Sequence, residues 1–175
     1  KVDTGMVPKS NCESILIGAG NFVQRVLLPE LRAINESVKE IISATGVNAY
    51  HLTKKYNIPI LSSQLSDDSL IGIKRAYVAT PHNTHYNYAM TLLRNHKDVW
   101  VEKPLCLTKS DLESIIGTAK SVKSKLFVGY NRRYSPIAKY LNKKLKQKKG
   151  AILIKMQVNA GKLPNNHWLL DSKIG

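Results

Sequence analysis

Residues 14–23 read Ser14-Ile15-Leu16-Ile17-Gly18-Ala19-Gly20-Asn21-Phe22-Val23, and this stretch decides the fold. An unbroken apolar run of strand length gives way to two glycines one residue apart, at the start of a helix-like pattern. A strand buried on both faces needs such a run. Gly18 permits a tight turn, and Gly20 lets the backbone approach a dinucleotide pyrophosphate resting on the helix N-terminus. The third position of this glycine pattern is Val23, not Gly or Ala, which predicts looser packing of the helix on the strand. A glycine turn alone is weak evidence and needs a partner.

That partner lies further along the chain. Asp98-Val99-Trp100-Val101 reads as a strand, and Glu102-Lys103-Pro104 follows it. A lysine at a strand's carboxyl end can polarise a hydroxyl or carbonyl oxygen and shuttle a proton. Ligands of open parallel sheets bind at that edge. The competing reading of Lys103-Pro104 is an ordinary surface turn.

Between and beyond these motifs, strands and helices alternate. Residues 21–36 predict a helix with Phe22, Val26, Leu27, Leu31 and Ile34 inward, kinked at Pro29, which lacks a backbone donor. Strands are predicted over 40–44, 59–61, 73–79, 98–101 and 125–128. Helices are predicted over 48–56 and 84–95, from Thr108 onward, and over 133–148. Thr108 with Asp111 forms a cap signature, and Leu112, Ile115, Ile116, Ala119 and Val122 mark the inward stripe of that helix. The fold class is therefore α/β, a doubly wound parallel sheet of Rossmann type. Residues 1–12 read as a linker, 13–130 as the dinucleotide-binding domain, and 131–175 as a connecting helix with the truncated start of a second α/β domain. Within that last part, Ile152, Ile154, Met156 and Val158 alternate, which predicts a strand with one apolar face.

Composition narrows the function. The chain has 175 residues, 43% of them hydrophobic, enough for one full domain. No apolar run approaches a bilayer's width, and the first ten residues lack a signal-peptide pattern, so a cytoplasmic protein without a membrane partner is expected. Cys12 and Cys106 stand far apart, and His82 with His85 lacks a third ligand type nearby, so no metal is expected. The net charge of +15 invites a nucleic-acid reading. Its densest run, Lys139 to Lys149, has apolar residues at helical spacing and no interleaved aromatic platform. A solvated helix face explains it, and no nucleic-acid partner is expected.

Two further loops bear on cofactor choice. Ser43-Ala44-Thr45-Gly46 stands where an acid would bind the cofactor ribose, and it holds neither carboxylate nor arginine. Without that negative charge, Ser43 and Thr45 can meet a 2′-phosphate, which tips the expectation toward NADP over NAD. Thr80-Pro81-His82-Asn83-Thr84-His85 joins a strand to a helix. Asn83 is placed to cap that helix. His85 is read equally as an active-site residue and as a core-packed or capping one.

The stretches ILIGAGNF (15–22), VATPHNTHYNYAMTLL (78–93), VWVEKPLCLT (99–108) and VGYNRRYSP (128–136) resemble the Gfo/Idh/MocA family of NAD(P)-dependent oxidoreductases. They cover nearly all of residues 14–136 in the family's order. NAGKLPNNHW (159–168) and the Ser43–Gly46 stretch are more similar to a branch fused behind a zinc-alcohol-dehydrogenase-like domain. The resemblance implies that Gly18, Ala19, Gly20, Asn21 and Phe22 bind the dinucleotide, with Thr80, Pro81, His82, Asn83 and His85 along it. It implies that Glu102 and Lys103 meet the nicotinamide and substrate, with Lys103 catalytic, and that Asn131, Arg132 and Trp168 complete the pocket. It also implies hydride transfer on a sugar or cyclitol alcohol or ketone, in a longer protein expected to be a homo-oligomer. The family's second acid–base residue would follow Gly175, so the chain alone is expected to bind cofactor without turnover. The alternative is a non-catalytic dinucleotide sensor.

Overall fold

The computed structural model describes residues 1–5, 13–159, 161–165 and 168–171. The chain divides into two units, Lys1–Gly129 and Tyr130–Gly175. The first unit is built on a seven-stranded sheet in the order β1-β4-β3-β2-β5-β6-β7. Its strands are β1 Val2–Asp3, β2 Ser14–Ile17, β3 Val38–Ile42, β4 Ile60–Ser62, β5 Arg75–Val78, β6 Asp98–Glu102 and β7 Leu126–Gly129. All pairings are parallel except β1 with β4. The chain winds outward from β2 to β4, then returns to β5 beside β2 and winds the other way. The α/β doubly wound architecture read from the sequence is therefore the observed one.

Alternation along β2 explains its position at the centre. Ile15 and Ile17 belong to the core on one face, with Ala76, Val78, Val99 and Val101. Leu16 points to the other core, with Ile41, Leu28 and Leu52. Burying each such side chain contributes about 1.5–3 kcal/mol. Helix α4 (His85–Arg94) and helix α5 (Lys109–Val122) cover the first face through Ala89, Leu92, Leu93 and Ile115. Helix α1 (Leu28–Ala33) and helix α2 (Gly46–Tyr56) cover the second. A short helix α3 (Asp67–Leu70), absent from the sequence reading, leads into β5. Among the described residues, no helix is long and apolar enough to cross a membrane.

Several local expectations are corrected. The helix after the glycine turn begins as a π turn over Val23–Leu27, with the Leu28 N–H donating to the Val23 carbonyl. That extra residue rotates the stripe, so Val23 and Leu28 turn inward while Val26 and Ile34 are 44% and 70% exposed. Pro29 falls in the first turn of α1, directly after the π turn. On α5 only Ile115 is buried, and Leu112 and Ile116 are largely exposed. Thr108 does cap α5, its Oγ1 accepting from the Asp111 N–H at 3.1 Å.

The first residues are not all free linker. Val2 and Asp3 pair with Leu61 and Ile60, and the buried Thr4 hydroxyl bonds the Ile58 and Pro59 carbonyls. Residues 6–12 lie outside the described residues.

In the second unit, α6 (Pro136–Leu145) is capped by Ser135, whose Oγ accepts from the Ala138 N–H at 3.2 Å. The Ser135-Pro136 pair starts this helix three residues later than the charge pattern suggested. The predicted strand over 151–158 does not form: residues 151–159 have no regular structure, and Leu153 is 97% exposed. Alternation encodes a strand only where a neighbouring strand supplies the ladder, and the second unit has no strand among its described residues.

Candidate active site

The carboxyl ends of β2 and β5 lie side by side where the winding reverses. The Gly18 N–H donates to the Ile42 carbonyl at 2.8 Å, and the Ala79 N–H donates to the Ile17 carbonyl at 2.8 Å. These bonds pin the glycine turn between the β3 and β5 loops. Gly18 has φ +111°, and a Cβ there would run into the Ala79 carbonyl, 2.7 Å from its carbon. Gly20 differs: it is exposed, and a Cβ there meets nothing within 4 Å. One glycine lets the turn form, and the other leaves the approach to the helix N-terminus clear. That open approach fits a pyrophosphate.

Most predicted site residues converge on this edge. Asn21 is exposed at the start of the helical segment. Phe22 is half-buried, its ring stacked on Trp100 at 6.2 Å between centroids and 5° between planes. Ala19 is buried in the core beneath the turn. Ser43 and Thr45 follow β3, the Ser43 hydroxyl donating to the Thr45 carbonyl at 3.1 Å. Thr80 and Pro81 follow β5, Glu102 ends β6 and Lys103 follows it. Lys103 is exposed, and the Lys103–Pro104 peptide is cis. Asn131 and Arg132 occupy the short helix Asn131–Tyr134 of the second unit, and Trp168 begins the turn Trp168–Leu170 in that same unit.

Two readings in the β5 loop change. Asn83 does not cap α4; it is exposed, within the short turn His82–Thr84. Thr84 takes the cap position without capping, because its hydroxyl folds back to Thr80 Oγ1 at 2.6 Å and the Pro81 carbonyl at 2.7 Å. His85 is fully buried, its Nδ1 2.6 Å from the Pro104 carbonyl and its Nε2 2.8 Å from the Thr80 carbonyl.

The electrostatics of the cluster follow from burial. Burial pushes the Glu102 carboxyl above its ordinary range, against the pull of the Lys103 N–H and the charges of Lys103 and His85. Its Oε2 is buried with no hydrogen-bond partner. Burial lowers the His82 imidazole, and the charges of Lys103 and His85 act in the same direction. Burial pushes the Tyr77 phenol up to about 12, so it stays neutral under the edge.

Three supporting residues escaped the sequence reading. Tyr77 and Trp100 are register partners on β5 and β6, their rings 6.4 Å apart, and Trp100 carries the Phe22 stack. Gly129 on β7 faces Glu102, and a Cβ there would meet the Glu102 Oε2 and lie 2.7 Å from Trp100 Cζ2. The signal for Gly129 was its position at a strand end beside the tripeptide's strand.

Residues 13–130 match the model of the oxidoreductase family with an NAD-binding Rossmann fold. The chain belongs to the Gfo/Idh/MocA oxidoreductase family. Among Gfo/Idh/MocA relatives, trans-1,2-dihydrobenzene-1,2-diol dehydrogenase of Xenopus tropicalis is 26% identical over 126 residues, 70% of this chain and 38% of that protein. The 3-ketoreductase KijD10 of Actinomadura kijaniata, solved with NADP and TDP-benzene, superposes with a TM-score of 0.67 at 22% identity, over 76% of this chain and 41% of that one. The WlbA dehydrogenase of Thermus thermophilus, solved with NAD and UDP-GlcNAcA, gives a TM-score of 0.70 at 17% identity, over 79% of this chain and 48% of that one. At these identities the two superpositions show the fold alone. The chain spans about two fifths of the length of the curated Gfo/Idh/MocA relatives it matches over most of its own length.

Proposed function

We propose that this Gfo/Idh/MocA module serves a dehydrogenase that moves a hydride to or from a secondary alcohol or ketone carbon of a sugar or cyclitol derivative. The observation that carries the reading is Lys103, exposed at the carboxyl end of β6. The open Gly20 approach lies on the same edge of the sheet. The UDP-GlcNAcA solved with the Thermus thermophilus dehydrogenase favours the substrate class.

In this reading Gly18, Gly20 and Asn21 hold the pyrophosphate, and the loop from Thr80 to Asn83 borders the rest of the dinucleotide. The bound nicotinamide supplies or accepts the hydride. Lys103 orients the substrate oxygen and stabilises the charge that develops on it. Glu102, one residue before it, keeps its Oε2 buried beside Gly129. Ser43 and Thr45, with no carboxylate at the end of β3, favour a 2′-phosphate and hence NADP. A second acid–base group, outside the residues assigned here, completes turnover, so this chain alone binds cofactor without reaction.

The test is Lys103→Ala in the full-length protein. Turnover should fall by about 10²–10⁴-fold, while dinucleotide affinity stays within a few-fold of wild type. Undiminished turnover would remove Lys103 from the chemistry and the reading with it.

A further inference from the structure

The chemistry assigned to Lys103 needs its backbone held, and the paired strands do not extend far enough to hold it. Strands β5 and β6 are in register up to Val78 and Val101. Beyond them the two loops run into Pro81 and Pro104, which have no N–H to continue a ladder. The carbonyls of Thr80 and Pro104 must find partners elsewhere, because a buried acceptor without a donor is costly.

A single side chain meets both. His85, the first residue of α4, is 0% exposed and sits between the two loops. Its two nitrogens lie 2.6 Å from the Pro104 carbonyl and 2.8 Å from the Thr80 carbonyl. Each nitrogen lies within hydrogen-bond distance of one carbonyl, so the ring bridges the two loops. Thr84 adds a second tie to the β5 loop through Thr80 and Pro81. The groups so joined differ in role. Thr80-Pro81 borders the dinucleotide in the reading above, and Pro104 directly follows Lys103.

We propose that His85 is a positioning residue that couples the dinucleotide loop to Lys103. The imidazole is rigid, so its two bonds fix the spacing of the Thr80 and Pro104 carbonyls. Dinucleotide that orders the Thr80 loop thereby orders the turn carrying Lys103. A core histidine that only filled space would have no such effect on the folded enzyme. The inference rests on the assignment of Lys103 to the reaction.

Two substitutions separate the two bonds. An asparagine amide reaches roughly where Nδ1 sits, and a glutamine amide roughly where Nε2 sits. His85→Asn therefore keeps the tie to Pro104, and His85→Gln keeps the tie to Thr80. In the full-length protein, His85→Gln should lower kcat at saturating dinucleotide by about tenfold or more with dinucleotide Kd little changed, the scale of one lost bond. His85→Asn should weaken dinucleotide Kd by about tenfold, with the smaller effect on kcat. Equal losses in both variants, or wild-type kcat and Kd in both, would overturn the coupling.

Should either variant fail to fold, nitrogen-15 spectra of the wild-type imidazoles decide. The coupling expects one buried imidazole whose nitrogen signals shift when NADPH is added. No shift on that ring would overturn it. If Lys103→Ala retains turnover, the proposed function fails. If only the His85 results come out at wild-type values, the function stands and the coupling falls.

Discussion

Gly18 and Gly20 stand two residues apart and answer to different demands. Gly18 combines a left-handed φ of +111° with a carbonyl where its Cβ would go. Gly18→Ala should cost about 3 kcal/mol of stability, seen as a lower midpoint in chemical denaturation. Gly20→Ala should leave that midpoint almost unmoved and weaken dinucleotide binding instead, since its Cβ would enter the open approach. Glu102 gives a pH prediction with a definite sign. Its folded pKa stands above its unfolded value because burial resists ionisation. A carboxyl raised in this way supports the fold when protonated, and stability declines as pH climbs from the ordinary carboxylate range through the raised value. Glu102→Gln removes that decline. Its melting temperature relative to wild type should therefore rise from mildly acidic to neutral pH.

Elements were legible where periodicity and packing agree. Strand β2 reads as a strand because Ile15, Leu16 and Ile17 are all needed, two on one face and one on the other. The helix after it reads as a helix, with Phe22, Leu27 and Leu31 inward as expected but Val26 and Ile34 misplaced, because no sequence period announces the π turn at Val23. That valine, a departure from the glycine pattern, is fully buried inside the π turn. Helix α5 was assigned five inward residues and turns three to the core, Ile115 buried and Ala119 and Val122 partly so, since a stripe reports apolar side chains and not the area available to cover them. Strand β3 holds a residue that its pattern leaves unexplained. Glu40 is fully buried among apolar neighbours, and neither carboxylate oxygen has a hydrogen-bond partner among the described residues. Removing a desolvated, unpaired carboxylate should stabilise the sheet. Glu40→Met should raise unfolding stability by about 1–3 kcal/mol, read as a higher denaturation midpoint at unchanged slope.

For the molecule as a whole, the order of strands places the site. The glycine turn, the Thr80 loop and Lys103 are far apart in sequence, and the reversal between β2 and β5 brings their loops to one edge. That convergence was legible from alternating elements alone. The residues beneath it were not: Tyr77, Trp100 and Gly129 take their roles from register across β5, β6 and β7, which no linear spacing records. Calorimetric titration of this chain with NADH and NADPH in parallel should give binding, with NADPH the tighter. Binding with NADH the tighter would reverse the role given to Ser43 and Thr45, and binding of neither would confine the site to the longer protein. The opposite edge of the sheet has a practical consequence for handling the protein. Among the described residues, only Val2 and Asp3 close the edge of β4, with Thr4 and Lys54 fastening them there. A protease that clipped those few residues would leave the fold's core untouched. It would also bare the backbone of Ile60–Ser62, a template on which another molecule's strand can grow. Preparations that clump on storage should therefore be checked first for an intact segment 1–5.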